Sequence, residues 1–283
     1  MAKVKEQQNE KAPVILVANS KGGGGKSTTS QQVLAPFILK EYGNATIKEL
    51  DDENLDSEYL TRSDIKAEQI ILGSDSDEFA SAVAETIDLN SQGVVIDVGG
   101  NRTTSIVIRE LARLTTRSRV VDAICIPISD NRMGVINAEK TLQEIKDSPE
   151  GANLIKKCFI ALNRVRNLKA ESIDDKKLLR RFSNVASLAK KWKLDVMIIH
   201  DMDGVENLAP LGKTVIEVAD MRDELIEDLN AQILKAHENE KGDLVTVLDD
   251  LQWAVNVATS DFAPLIRKSH GQLKDILKKL ASK

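Results

Sequence analysis

The sequence is short of the residues that mark several common kinds of protein. Only 3% of its 283 residues are aromatic, and it has two cysteines and six prolines. Cys125 and Cys158 each lie inside an apolar, strand-like run. That excludes a disulfide framework and predicts buried, inert thiols. No apolar stretch approaches the ~20 residues needed to span a bilayer. Met1 to Lys11 is polar and charged, unlike a signal peptide, so a cytoplasmic protein is expected. Internal repeats and low-complexity segments are lacking too. What is present is 42% hydrophobic residues, enough to bury a large core as one α/β domain or one domain with a small extension.

The net charge of −5 conceals two opposite segments. Between Gly43 and Gly100, fourteen acidic residues face only Lys48, Arg62 and Lys66. Between Arg164 and Lys193 the balance reverses. There Arg164, Arg166, Lys169, Lys176, Lys177, Arg180, Arg181, Lys190, Lys191 and Lys193 face Glu171, Asp174 and Asp175. A local excess of seven positive charges attracts a polyanion even when the whole chain is acidic. A solvated helix face is the plainer explanation of such a run.

Short apolar runs alternate with longer amphipathic stretches. Strands are expected at 13–19, 45–50, 93–97, 121–128, 156–162 and 193–200, and helices near 27–42, 77–89, 103–116, 133–147 and 174–190. This alternation predicts an α/β fold with a mainly parallel, twisted sheet covered by helices on both faces. Pro36 falls in the middle of the first helix, where it must kink the helix or shift a neighbouring bond. After a turn-like 201–211, helices are expected at 214–237, 244–258 and 264–283. The expected organisation is a flexible tail over 1–12, a nucleotide-binding domain over 13–237 and a helical extension over 238–283.

The run Ser20-Lys21-Gly22-Gly23-Gly24-Gly25-Lys26-Ser27-Thr28 directly follows the apolar Val14-Ile15-Leu16-Val17-Ala18. A strand, a glycine loop, then a lysine and a hydroxyl residue opening a helix make a phosphate cradle. Glycines let successive backbone N–H groups converge on phosphate oxygens, and the helix N-terminus adds partial positive charge. Gly22, Gly23, Gly24, Gly25 and Thr28 line this cradle. Lys26 is placed for the β- and γ-phosphates, and the Ser27 hydroxyl for Mg²⁺. Val94-Val95-Ile96-Asp97 is an apolar strand ending in an acid. Asp97 at that tip is a second Mg²⁺ residue, acting through a water. Asn163, at the end of the fifth strand, is a candidate for the adenine edge. A guanine reader of the N-K-x-D type needs an acid at 166, where Arg166 stands, so ATP is expected over GTP.

The form of the loop, with Lys21 before the glycines, resembles the deviant Walker A motif of the ParA/MinD family of ATPases. The resemblance covers roughly residues 13 to 220. It implies an ATP hydrolase of weak intrinsic activity, a homodimer when ATP is bound, and a partner protein that stimulates turnover. It also implies that Lys21 reaches across the dimer to the phosphates of the other subunit. Asp51, after the second strand, becomes the carboxylate orienting the attacking water, with Glu49 at the preceding acidic position and Asp52 as the alternative. Val98-Gly99-Gly100-Asn101 stands where the family more often has two prolines, and marks the second switch. Iron–sulfur relatives need exposed cysteines that this chain lacks. The expected role is partition or transfer of a plasmid or other DNA, through non-specific phosphate contacts. A second role, membrane cycling, rests on Leu273, Ile276, Leu277 and Leu280, which form one face of a basic C-terminal helix. The same stripe suits a helix packed on the domain.

Overall fold

The computed structural model describes residues 11–20, 23–50, 57–70, 92–100, 102–115, 121–166 and 179–282. Within them seven strands form one sheet: β1 (Val14–Val17), β2 (Thr46–Leu50), β3 (Lys66–Gln69), β4 (Val94–Val98), β5 (Ala123–Ser129), β6 (Cys158–Val165) and β7 (Val196–His200). The order is β3-β2-β4-β1-β5-β6-β7, and every pairing is parallel. The expected α/β class is therefore observed. The exposed edge strand β3 carries Lys, Glu and Gln and no strand-like pattern, so the sequence did not announce it. The helix expected at 77–89 lies outside the described residues.

Nine helices accompany the sheet among the described residues. α1 is a composite of Lys26–Thr28, a π-helical Thr29–Leu34 and Ala35–Tyr42. Then come α2 (Arg102–Thr115), α3 (Arg132–Asp147), α4 (Gly151–Lys156), α5 (Ser183–Trp192), α6 (Val215–Asp220), α7 (Arg222–Glu238), α8 (Gly242–Val257) and α9 (Ala263–Ala281). Three expectations are corrected here. The helix read over 174–190 is interrupted by a turn at Arg180 and Arg181 before α5 begins at Ser183, and 174–178 lies outside the described residues. The single helix read over 214–237 breaks at Met221 into α6 and α7. The turn-like 201–211 contains a 3₁₀ helix, Val205–Leu211.

Pro36 now has a physical account. Proline has no N–H and its ring clashes with the carbonyl four residues back. The helix answers by widening just upstream, where the Ala35 N–H bonds the Ser30 carbonyl five residues back. The device recurs between α8 and α9, where Ala258–Phe262 is π-helical, the Ala263 N–H bonds the Ala258 carbonyl, and Pro264 follows. Neither proline ends its helix.

Successive residues of β1 point to opposite faces and into two separate cores. Ile15 and Val17 pack with α1 and the C-terminal helices, whereas Val14 and Leu16 pack with α2, α3 and α5. The C-terminal helices expected from 238 pack into the first of these cores. Leu248, Val255, Ile266, Leu273 and Ile276 share one core with Ile15 and Val33. Of the two readings of the Leu273–Leu280 stripe, the packed helix is observed: Leu273 and Ile276 are buried, with Leu277 and Leu280 packed against them. α9 also closes the open edge of β7. Its Gln272 accepts from the Ile198 N–H at 2.7 Å, and the Ser269 hydroxyl donates to the Ile198 carbonyl at 2.7 Å. Side chains there replace the missing strand.

α9 meets α1 at His270, which is 8% exposed. Its Nε2 lies 2.9 Å from the Val33 carbonyl, and its ring meets the Phe37 ring edge-on at 5.6 Å. The carbonyl can only accept, so Nε2 carries the proton. Burial pushes the His270 pKa down from 6.5 to about 4; the Val33 bond and Glu41 oppose this, and Lys40 and Arg267 assist. The unfolded chain therefore takes up a proton between pH 6.5 and 4 that the folded chain refuses. The neutral ring contributes fully above pH 6.5, and that contribution drains at about 1.4 kcal/mol per pH unit as pH falls toward 4. His270→Gln keeps a donor but cannot titrate. Urea unfolding at pH 7, 5.5 and 4.5 is expected to show the wild type losing more stability than this variant; parallel losses would contradict the assignment.

Candidate nucleotide site

The glycine loop leaves the sheet at the C-terminal end of its central strand. β1 is buried along its length and makes its last sheet contact where the Ala18 N–H bonds the Cys125 carbonyl at 3.0 Å. Residues 125 and 127 of β5 thus aim their backbone groups toward β1. At Pro127 the neighbouring chain has already turned away into the loop, so the absent N–H of this proline costs no ladder bond. Its carbonyl instead accepts the Asn19 side-chain amide at 2.6 Å. A Cβ on Gly24 would stand 2.9 Å from that carbonyl, which explains glycine there. Gly25 has φ +81°, a conformation that costs side-chain-bearing residues about 1–2 kcal/mol. Ser20 ties the loop's start to α3, its N–H donating to the Thr141 hydroxyl at 3.0 Å.

The carboxylates converge from the other side. Asp97 is in register with Val17 on β1 and Glu49 on β2, and both acids are buried, at 6% and 3% exposure. Gln31, from the π-helical part of α1, donates to Glu49 at 3.2 Å. Thr104 of α2 is fully buried, and its hydroxyl reaches the Gly99 carbonyl at 2.9 Å and the Asn19 carbonyl at 3.2 Å. The Gly99 N–H bonds the Leu50 carbonyl at 2.8 Å. The loop entrance, the end of β2 and the segment after Asp97 therefore share one bonded junction. Both cysteines are free and buried. Burial first, then the charge of Asp97, pushes the Cys125 thiol up, and burial does the same for Cys158.

An open cleft of about 340 Å³ adjoins the loop, lined by Gly25, Thr28, Asn163, Arg166, Asp201 and Glu206 among others. The Arg166 guanidinium donates to Asp201 at 2.8 Å across it. Asn163, the candidate for the adenine edge, turns its amide to the loop. It is 3% exposed, and its amide nitrogen donates to the Gly24 carbonyl at 2.8 Å and to the Thr29 hydroxyl at 3.0 Å. The group expected to meet the adenine edge is engaged behind the phosphate loop.

The structure thus gathers Gly23, Gly24, Gly25, Lys26, Ser27 and Thr28 with Asp97 and Asn163. Lys21, Gly22, Asp51 and Asp52 lie outside the described residues. Asn19, Thr104, Pro127 and the cleft residues Asp201 and Glu206 were missed from the sequence; of these only Pro127, a proline inside an apolar strand run, carried a visible signal. No group of three or more His, Cys, Asp or Glu among the described residues could hold a metal alone. Mg²⁺ is commonly held by one or two carboxylates together with substrate phosphates. The residues fit such an ion: the buried Asp97 carboxylate lies one residue before the end of β4, beside a cradle too tight for a Cβ.

No family model and no curated protein matches the sequence. Solved structures do match the fold. The MinD cell division protein of Aquifex aeolicus superposes with a TM-score of 0.51 at 15% identity, covering 75% of this chain and 90% of its own. A McdA variant of Cyanothece, in complex with ATP, superposes with a TM-score of 0.51 at 12% identity, covering 88% of this chain and 98% of its own. Loop, parallel strand order and C-terminal helical layer together make this chain a seven-stranded α/β protein with the fold of MinD and McdA.

Proposed function

We propose that this chain is an ATP-binding and ATP-hydrolysing switch of the ParA type, dimeric when ATP is bound, acting in partition or transfer of plasmid or other DNA. The observation that carries the nucleotide reading is the braced glycine loop at the end of β1 with buried Asp97 in register beside it. In this reading the loop N–H groups and Lys26 hold the phosphates of ATP. Ser27 and Asp97 hold Mg²⁺, which neutralises phosphate charge. Asp51 orients the attacking water, and Lys21 reaches the phosphates of the opposite subunit, tying dimerisation to nucleotide state. Such sites work by positioning and charge neutralisation more than by covalent chemistry. Arg166, paired with Asp201, stands where a guanine reader needs an acid, which supports ATP over GTP.

The DNA reading rests on exposed cations around α5: Arg180, Arg181, Lys190 and Lys193. Lys191 is paired with Glu139 and contributes less. No specific observation favours the membrane alternative, since the stripe that suggested it is packed in the core. Two measurements test the proposal. ATP hydrolysis is expected with the purified chain and to respond to non-specific duplex DNA. In filter binding, Arg180→Ala with Arg181→Ala is expected to lower the slope of log affinity against log salt by roughly 0.9 for each phosphate no longer neutralised, sparing ATP binding. An unchanged slope would remove DNA from this surface, and absence of hydrolysis would remove the switch.

A further inference from the structure

We infer that Asn163 is a positioning residue for the phosphate loop, setting affinity for any triphosphate and not the choice of base. The inference rests on the nucleotide reading above. It begins from an irregularity in β6. Leu162 is in register with Ile198, but Val165 is in register with His200, so β6 spans three residues where β7 spans two. The extra residue is accommodated at Arg164, which has φ +57°, a left-handed conformation uncommon outside glycine. A bulge of this kind bends the strand and re-aims a side chain. Here it is Asn163 that meets the loop.

The contacts are those of a brace. Asn163 Nδ2 donates to the Gly24 carbonyl at 2.8 Å and the Thr29 Oγ1 at 3.0 Å. Thr29 Oγ1 passes the support on, donating to the Gly25 carbonyl at 2.7 Å, and the Thr29 N–H bonds the same carbonyl at 2.9 Å. Two consecutive loop carbonyls are thereby turned inward, toward β6. Peptide planarity then turns the following N–H groups, those of Gly25 and Lys26, the opposite way, toward the phosphate side. The fit is close: a Cβ on Gly25 would stand 2.9 Å from Asn163 Nδ2. With its amide hydrogens on the loop carbonyl and the Thr29 hydroxyl, Asn163 has none to offer a base edge.

A base reader and a loop brace predict different ligand profiles. The full chain is titrated calorimetrically with the Mg²⁺ complexes of ATP, GTP and tripolyphosphate, which carries no base. Asn163→Ala is expected to weaken all three by a similar factor, about tenfold, the scale of one or two net hydrogen bonds. Thr29→Val, which cannot relay the support, is expected to reproduce that pattern, and Thr29→Ser to restore wild-type affinity. Thermal melts identify a variant that fails to fold, and the Thr29 pair then decides. Loss confined to ATP, with tripolyphosphate unaffected, overturns the brace, as does wild-type binding by Thr29→Val. A wild-type chain that binds none of the three overturns the nucleotide reading itself.

Discussion

Lys26→Ala is expected to lower the affinity for Mg·ATP by at least about 100-fold while leaving the fold intact. Lys26 is the first helical residue after Gly25, at the C-terminal edge of the central strand. An ammonium there aims a full charge where the loop N–H groups supply only partial ones. Charge-assisted hydrogen bonds contribute about 1.5–3 kcal/mol each, so contacts to two phosphate oxygens account for a hundredfold or more. In the free protein the side chain is only partly buried, and removing it changes stability by no more than about 0.5 kcal/mol. Lys26→Arg is expected to rescue poorly, because a planar fork does not replace a point charge in a tight cradle. Calorimetric titration alongside a thermal melt checks both halves. ATP affinity near wild type in a folded Lys26→Ala would dissociate the loop from phosphate binding.

Leu273→Asp is expected to cost more than about 4 kcal/mol and to leave little folded protein. Leu273 is fully buried in the core that also holds Ile15 and Val33. Truncation to alanine costs about 2–5 kcal/mol at such sites. A carboxylate adds the penalty of a charge buried without a partner. Since a domain is stable by only about 5–15 kcal/mol, that loss is decisive. Leu273→Ala, followed by urea denaturation, is the graded version, with an expected cost of about 3 kcal/mol. If this helix lay on a lipid surface, the same change would leave stability untouched and abolish vesicle binding instead.

The contrast between those two positions shows what the sequence could reveal. The glycine loop between β1 and α1 was legible because its pattern is local: glycines, lysine and hydroxyl occur in one run, directly after a strand. The strand–helix alternation was legible for the same reason, with boundaries mostly shifted by one to three residues. The amphipathic stripe of α9 was visible but its occupant was not, since 3.6-residue periodicity reports that a face is buried and not what buries it. Asn163 shows a different limit. Its position at a strand end beside the site could be foreseen, but its orientation depends on a bulge against β7, and register across strands leaves no trace in local pattern. Thr104, likewise, acquires its role only when α2 brings it beneath the carbonyls of Asn19 and Gly99. The edge strand β3 was hidden because its polar residues are exposed, leaving no apolar alternation to detect.

The central claim is that the loop at the end of β1 binds ATP together with Mg²⁺. Calorimetric titration of the wild-type chain with ATP, in the presence and absence of Mg²⁺, tests it most directly. The account predicts one site per chain, tighter with Mg²⁺ than without, and preference for ATP when GTP is titrated in parallel. Absence of binding at millimolar Mg·ATP by a folded chain would contradict it.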